Sequence, residues 1–175
     1  MKSLFSKSIF LLFALIGCKS YPDLPVVENV DLVRYSGKWY EIAAFPQSFQ
    51  KGCFCSTAEY KLTDEDYIEV INTCRKDGVD GEINQAKGKA FVEENSGNAK
   101  LSVQFFWPFR GKYWIIELAN DYTYAVVGHP NREYLWILCR NPKMDKQTYD
   151  MLIEKIKQNG FDISKIKVSN QDCWK

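Results

Sequence analysis

From residue 37 to residue 140, short segments of alternating polar and apolar residues recur about every ten positions, each followed by turn-forming residues. The first, residues 37–45, opens with Gly37 and sets Trp39, Ala43 and Phe45 on one face of a pleated ribbon, with Glu41 between them. Further strands are expected at 57–62, 67–74, 86–93, 99–106, 112–118, 123–127 and 134–140. The separators are rich in Asp, Asn, Ser, Gly and Pro, as in the run Asn95-Ser96-Gly97-Asn98 and the pair Asn120-Asp121. Eight short strands at this spacing fold either as an up-and-down barrel or as a sandwich. The length of 175 residues suits one domain, which buries roughly 70% of the surface its unfolded chain exposes.

The rhythm breaks at Asp145, which is placed to cap a helix whose apolar positions Tyr149, Leu152, Ile153 and Ile156 form one stripe. Asn159-Gly160 ends it, with Gly160 in the left-handed position and Phe161 folding back onto Ile156. That stripe needs an apolar surface. The last strand supplies one, because Leu135, Ile137 and Cys139 are apolar on one face while Trp136 and Leu138 are apolar on the other. A short extra strand is expected at 166–168.

The N-terminus carries a different instruction. Lys2 and Lys7 precede an apolar run from Ile9 to Ile16, too short to cross a bilayer and shaped like a signal peptide, so residues 1–17 are expected to be removed on export. The run ends in Leu15-Ile16-Gly17-Cys18, which resembles the lipobox that bacteria cleave before a diacylglycerol-bearing cysteine. Cys18 is therefore the expected lipid attachment site, and several acyl chains together exceed the threshold for lasting attachment. Lys19, rather than Asp, follows it, which by resemblance to enterobacterial lipoproteins points to the outer membrane. Residues 18–28, with Pro22 and Pro25, read as a lipidated N-terminus and spacer ahead of a domain at 29–175. The net charge of +1 includes the two leader lysines, so the exported chain is slightly acidic and has nothing to attract nucleic acid.

The segment 37–45, the stretch Val30-Asp31-Leu32-Val33-Arg34-Tyr35-Ser36 before it, Asn120-Asp121-Tyr122 and Leu135-Trp136-Ile137-Leu138-Cys139-Arg140 together resemble the three short signature regions of the lipocalins. Within that family the likeness runs to the bacterial outer-membrane lipocalins and to animal apolipoprotein D, and covers nearly all of the chain after about Asp23. It implies an all-β fold, an eight-stranded antiparallel up-and-down barrel with one C-terminal α-helix packed outside and a short extra strand. Gly37, Trp39, Asp121, Tyr122 and Arg140 are then signature residues of structural role. Arg140 would lie across Trp39 as a cation–π contact closing the barrel floor.

Such a barrel is wide enough for one small ligand. If Trp39 points inward at the closed end, Ala43 and Phe45 are expected to climb the same wall. Val103 with Phe105, and Trp136 with Leu138, extend it. The resemblance carries over Tyr60, Asn72, Phe105 and Trp136 as ligand contacts, and Ala43 and Val103 join them on parity. Glu41 on that face must be hydrogen-bonded or shifted in pKa. Besides Cys18, five cysteines remain. The resemblance pairs Cys55 with Cys173. Cys53 and Cys74, at neighbouring strand ends, form the expected second pair, although strict alternation opposes it unless a bulge lies near Cys55. Cys139 is left free, under the helix. Another disulfide of apolipoprotein D has its positions near Tyr21 and Pro130, where this chain has no cysteine.

The function these features imply is binding and transport of a fatty acid or lysophospholipid by an anchored, non-enzymatic carrier, with no cofactor and no metal. Pairing into a homodimer is left open. His129, the one histidine, has no catalytic or zinc-binding partners at a recognisable spacing. Two rivals stand: an enzyme using Cys74 as a cavity thiol, and an envelope protein whose barrel is filled by its own side chains.

Overall fold

The computed structural model describes residues 21–174. Eight strands follow one another in the chain: β1 (Gly37–Ala44), β2 (Cys53–Leu62), β3 (Ile68–Lys76), β4 (Ile83–Val92), β5 (Lys100–Phe106), β6 (Phe109–Leu118), β7 (Tyr124–Gly128) and β8 (Leu135–Cys139). Each pairs antiparallel with the next. β1 pairs with both β8 and β2, which closes the barrel, and β9 (Lys167–Val168) adds outside to β1. The expected up-and-down barrel is the observed fold. β2, β4 and β6 each begin three or four residues earlier than the alternation suggested, because ladder pairing continues to Cys53 opposite Lys76, Ile83 opposite Arg75 and Phe109 opposite Phe106.

A short helix, α1 (Leu32–Tyr35), precedes β1 and closes one end. Asp31 caps it by accepting from the amides of Val33 at 2.9 Å and Arg34 at 3.2 Å. The connections β1–β2, β3–β4, β5–β6 and β7–β8 gather at the other, open end. Outside the wall lies α2 (Lys146–Gln158), capped by Asp145, whose carboxylate accepts from the Thr148 amide at 2.8 Å. Its C-terminus has Gly160 at φ +81°, the Gly160 amide bonded to the Lys157 carbonyl and the Phe161 amide to that of Ile156.

Two apolar clusters result. One fills the barrel's closed half with Val30, Tyr35, Trp39, Tyr60, Val70, Ile115 and Leu138. The other lies between wall and helix, where Ile137, Cys139 and Ile42 meet Leu152, Ile156 and Phe161. Ala43 and Phe45 belong to this second cluster, contrary to the expectation that they climb the inner wall. The register between β1 and β8 shifts between Glu41 and Ala43, and one extra residue there reverses which face every later side chain takes. Ala43 is therefore not a lining residue.

The N-terminal stretch is also more ordered than a spacer. From Tyr21 it runs along the barrel, with Leu24 buried against the helix-side cluster and the Val27 amide donating to the Ile115 carbonyl at 3.1 Å. The leader and Cys18 lie outside the described residues.

Candidate functional site

The closed end is built from the three signature segments. Gly37 takes φ +90°, where a side chain would be strained, and a β-carbon there would sit 3.5 Å from the Arg140 guanidinium. That guanidinium lies 3.8 Å over the Trp39 ring and donates to the carbonyls of Lys38 at 2.9 Å, Arg34 at 2.6 Å and Tyr35 at 3.1 Å. Trp39 donates its indole N–H to the Tyr35 carbonyl at 2.8 Å. Tyr122, in the left-handed region at φ +63°, accepts from the Asp31 amide, while Asp121 accepts from the amide and hydroxyl of Thr123. Those two hydrogen bonds hold the Asp121 carboxyl below its ordinary pKa. These five residues are a floor.

Above the floor stand three tyrosines. The hydroxyls of Tyr35 and Tyr60 lie 2.8 and 2.7 Å from that of Tyr113. Burial pushes all three well above the ordinary phenol range, so the trio is neutral and acts as a polar knot in an apolar interior. Tyr60, expected to touch ligand, is thus at the bottom of any space above, with its hydroxyl already engaged. Tyr113 was not singled out from the sequence, although alternation along 112–118 would have turned it inward with Ile115.

Toward the open end the inward faces change character. On β4, Ala90 is buried, Gly88 half-buried and Ala86 exposed, though all three face inward in register with Ile68, Val70 and Asn72. Val103, Phe105, Ala58 and Trp136 are likewise half-buried against the inner cluster. Side chains that point into a barrel and still reach solvent line an open space. Its walls are small on β2 to β4 and aromatic on β5 and β8. A β-carbon on Gly88 would come within 2.9 Å of the Phe105 ring, so that glycine lets the ring lie along the wall. Asn72, Val103, Phe105 and Trp136 share this space.

Beside it lies a cleft of about 530 Å³ between the end of β1, the start of β2 and the C-terminal tail, with Glu41 at its base. Glu41 accepts from Gln50 at 2.7 Å and from the Ser169 hydroxyl at 2.5 Å. Burial raises its pKa, and those two hydrogen bonds oppose the rise. Gln50 in turn accepts from the Trp136 indole at 3.3 Å, which ties the first mouth loop to the inner wall. Nothing periodic in the sequence marks Gln50.

The tail is held here by a disulfide joining Cys55 to Cys173. A second joins Cys53 to Cys74, across a register shift between Phe54 and Thr57 that brings the two together, with Cys55 at φ +53°. Cys74 is therefore not a free thiol, and the enzyme alternative loses its nucleophile. Cys139 is free but buried on the helix side, where burial raises its thiol pKa. His129 accepts from the Asn131 amide, and burial lowers its pKa. Among the described residues no three His, Cys, Asp or Glu side chains gather as a metal site.

Residues 30–171 match the lipocalin-like domain family. This chain is a lipocalin. The lipocalin from Vibrio cholerae named outer membrane lipoprotein Blc is 38% identical over 165 residues, covering 91% of this chain and 96% of that one. Mouse apolipoprotein D is 41% identical over 160 residues, covering 86% and 82%. Among solved structures, insecticyanin from the tobacco hornworm superposes with a TM-score of 0.67 at 22% identity, covering 86% of each chain, a likeness of fold.

Proposed function

We propose that this lipocalin is a carrier, without reaction chemistry, that holds a fatty acid or lysophospholipid in the open half of its barrel while acylated Cys18 anchors it to the periplasmic side of the outer membrane. The observation that carries the reading is the climb in exposure along the inner face of β4, from buried Ala90 to exposed Ala86. The half-burial of Val103, Phe105 and Trp136 against the inner cluster supports the same reading. Support for the location comes from the lipobox-like residues 15–18 and from relatives named as outer membrane lipoproteins. Burying about sixteen methylenes gains near 13 kcal/mol at roughly 0.8 each, and association costs of roughly 4–15 kcal/mol offset much of it. Micromolar affinity is consistent with that balance.

Organic extraction of the purified protein followed by mass spectrometry tests the ligand. A single-chain lipid at near-stoichiometric yield is expected, and protein that neither retains nor takes up such a lipid returns the reading to a filled barrel. Cell fractionation of Cys18→Ser tests the anchor separately. The variant should be unprocessed or soluble, and a distribution identical to wild type would end the anchoring hypothesis.

A further inference from the structure

Glu41 is the one buried carboxylate among the described residues, and no lysine, arginine or histidine among them forms an ion pair with it. Its two side-chain partners, Gln50 and Ser169, are neutral. A carboxylate taken out of water is costly to ionise unless a cation accompanies it. The position asks for a positive charge that the chain does not supply.

A second observation, independent of charge, concerns the seam of the barrel. β1 and β2 pair only from Gly37 opposite Tyr60 to Tyr40 opposite Thr57, and from Ala43 onward the edge of β1 is taken by β9 instead. Between these stretches the Gln171 side-chain amide bridges the two strands, donating to the carbonyls of Glu41 at 2.7 Å and Ser56 at 2.9 Å. Beyond the bridge the strands part, and the gap is the cleft of about 530 Å³ with Glu41 at its base. Gln50 donates to the Glu41 carboxylate and accepts from Trp136, so one side chain touches both the acid of the cleft and the ring that lines the open half of the barrel. Lys51, from the mouth loop, and Lys167, from β9, line the same cleft. Both are exposed, and neither forms an ion pair. The cleft thus sets one negative group deep and two positive ones toward solvent.

We propose that this cleft is the headgroup site for a single-chain lipid bearing phosphoethanolamine. The ammonium reaches Glu41, the phosphate lies toward Lys51 and Lys167, and the acyl chain runs past Gln50 into the barrel. This rests on the carrier reading of the proposed function and narrows its ligand. A fatty acid brings no cation to Glu41, and neither does a lysophospholipid whose headgroup is glycerol. The open seam is what lets a headgroup leave the barrel sideways while its chain stays inside.

Native mass spectrometry of the delipidated full-length protein, released from detergent, tests this by competition. The probes are lysophosphatidylethanolamine, lysophosphatidylglycerol and monoacylglycerol of one chain length, in equal amounts. In wild type, occupancy by lysophosphatidylethanolamine should exceed that by lysophosphatidylglycerol at least roughly tenfold, and in Glu41→Gln that ratio should fall to about one. Equal occupancy by all three lipids in wild type keeps the carrier and overturns the headgroup site. Occupancy by none of them overturns both. A preference that survives Glu41→Gln shows the acid to be structural only and overturns the site. Free phosphoethanolamine occupying the protein as fully as the lipid does at the same concentration would make the ligand a small solute, and overturns the lipid headgroup. Wild type supplies a second measurement that does not depend on the folding of the variant. Protonating Glu41 removes its charge while the phosphates of both lysophospholipids stay ionised, so the preference should shrink as pH falls from neutral to about 4. Lys51 and Lys167 are the other ionisable side chains lining the cleft, and both lipids meet them alike. A preference that holds constant over that range overturns the proposal.

Discussion

The guanidinium of Arg140 lies 3.8 Å over the indole of Trp39 and at the same time donates to four backbone carbonyls, those of Arg34, Tyr35, Lys38 and Tyr122. One side chain from the end of β8 thus fastens α1 and the start of β1, and the barrel floor depends on it. Arg140→Ala removes a partly desolvated cation–π contact and the guanidinium's hydrogen bonds to the backbone, the Tyr35 carbonyl alone keeping another donor in the Trp39 indole, a loss of about 3 kcal/mol. The melting temperature should fall by roughly 6–12 °C at this chain length. Arg140→Lys keeps the charge but not the planar fork, and should recover only part of it. A calorimetric melt within a degree of wild type for Arg140→Ala would contradict the floor assignment.

Glu41 predicts a pH effect whose sign follows from its burial. Its folded pKa lies above the unfolded value, so over the window between the two the folded state keeps a proton that the unfolded state has released. Stability contributed by this group is fully present below the unfolded pKa and is lost as pH rises through the folded one. Glu41→Gln removes the titration. The wild-type melting temperature, measured relative to Glu41→Gln between about pH 4 and 8, should therefore decline as pH rises. A difference that stays flat or grows with pH would show that the carboxylate is not the buried acid described.

The cysteines give a chemical test of the same geometry. The Cys55–Cys173 bond spans 118 residues, and Cys173→Ser is expected to cost about 2–5 kcal/mol. In non-reducing peptide maps Cys139 should carry the one alkylation among the described residues, and only after denaturation, because burial under α2 both shields the thiol and raises its pKa. Alkylation of Cys139 in native protein at the rate of an exposed thiol would place it elsewhere.

The sequence showed the barrel's rhythm plainly, because antiparallel strands with one face inward leave a period of two in the chain, and it showed the helix through its cap and its stripe. Faces were legible only as far as the next bulge. Trp39 and Glu41 were assigned correctly to the interior, while Ala43 and Phe45 were lost to the helix side by one extra residue that no local pattern announces. The same limit was visible in advance at Cys53, where the requirement for a disulfide exposed the conflict with parity. Gln50 and Arg132 went unseen for a different reason. Both act from loops, where position is set by tertiary contacts and leaves no periodic trace.

Arg132 connects segments that apolipoprotein D, by the resemblance, joins covalently. It donates to the carbonyls of Pro22, Pro130 and Asn159 and is buried while doing so. Arg132→Ala orphans three carbonyls at about 1 kcal/mol or more each, and it should release the N-terminal segment from the open end. Hydrogen exchange at the backbone amides of residues 21–27 should accelerate at least tenfold. Protection unchanged from wild type would mean that Leu24 and Val27 hold the segment by themselves.

Trp136 is the strongest member of the expected ligand set, because it is half-buried on the inner wall, stacks 6.2 Å from Tyr134 and reaches Gln50 through its indole N–H. Removing its ring should cost a bound acyl chain about 1.5–3 kcal/mol of apolar contact, a roughly 10- to 150-fold weakening in a fatty-acid titration. The same truncation removes packing within the protein, where loss of a tryptophan costs about 3–5 kcal/mol if the site is fully packed. A partly exposed ring facing an open space should cost less, so a moderate thermal shift with a large affinity loss is the expected pair of results. Trp136→Phe separates the remaining contribution. It keeps most of the apolar surface but not the hydrogen bond to Gln50, and should restore most of the affinity while leaving the mouth loop freer. If Trp136→Ala stays folded and binds the fatty acid as tightly as wild type, the ring does not touch the ligand, and the bound chain must lie against Phe105 and Val103 on the opposite side of the barrel.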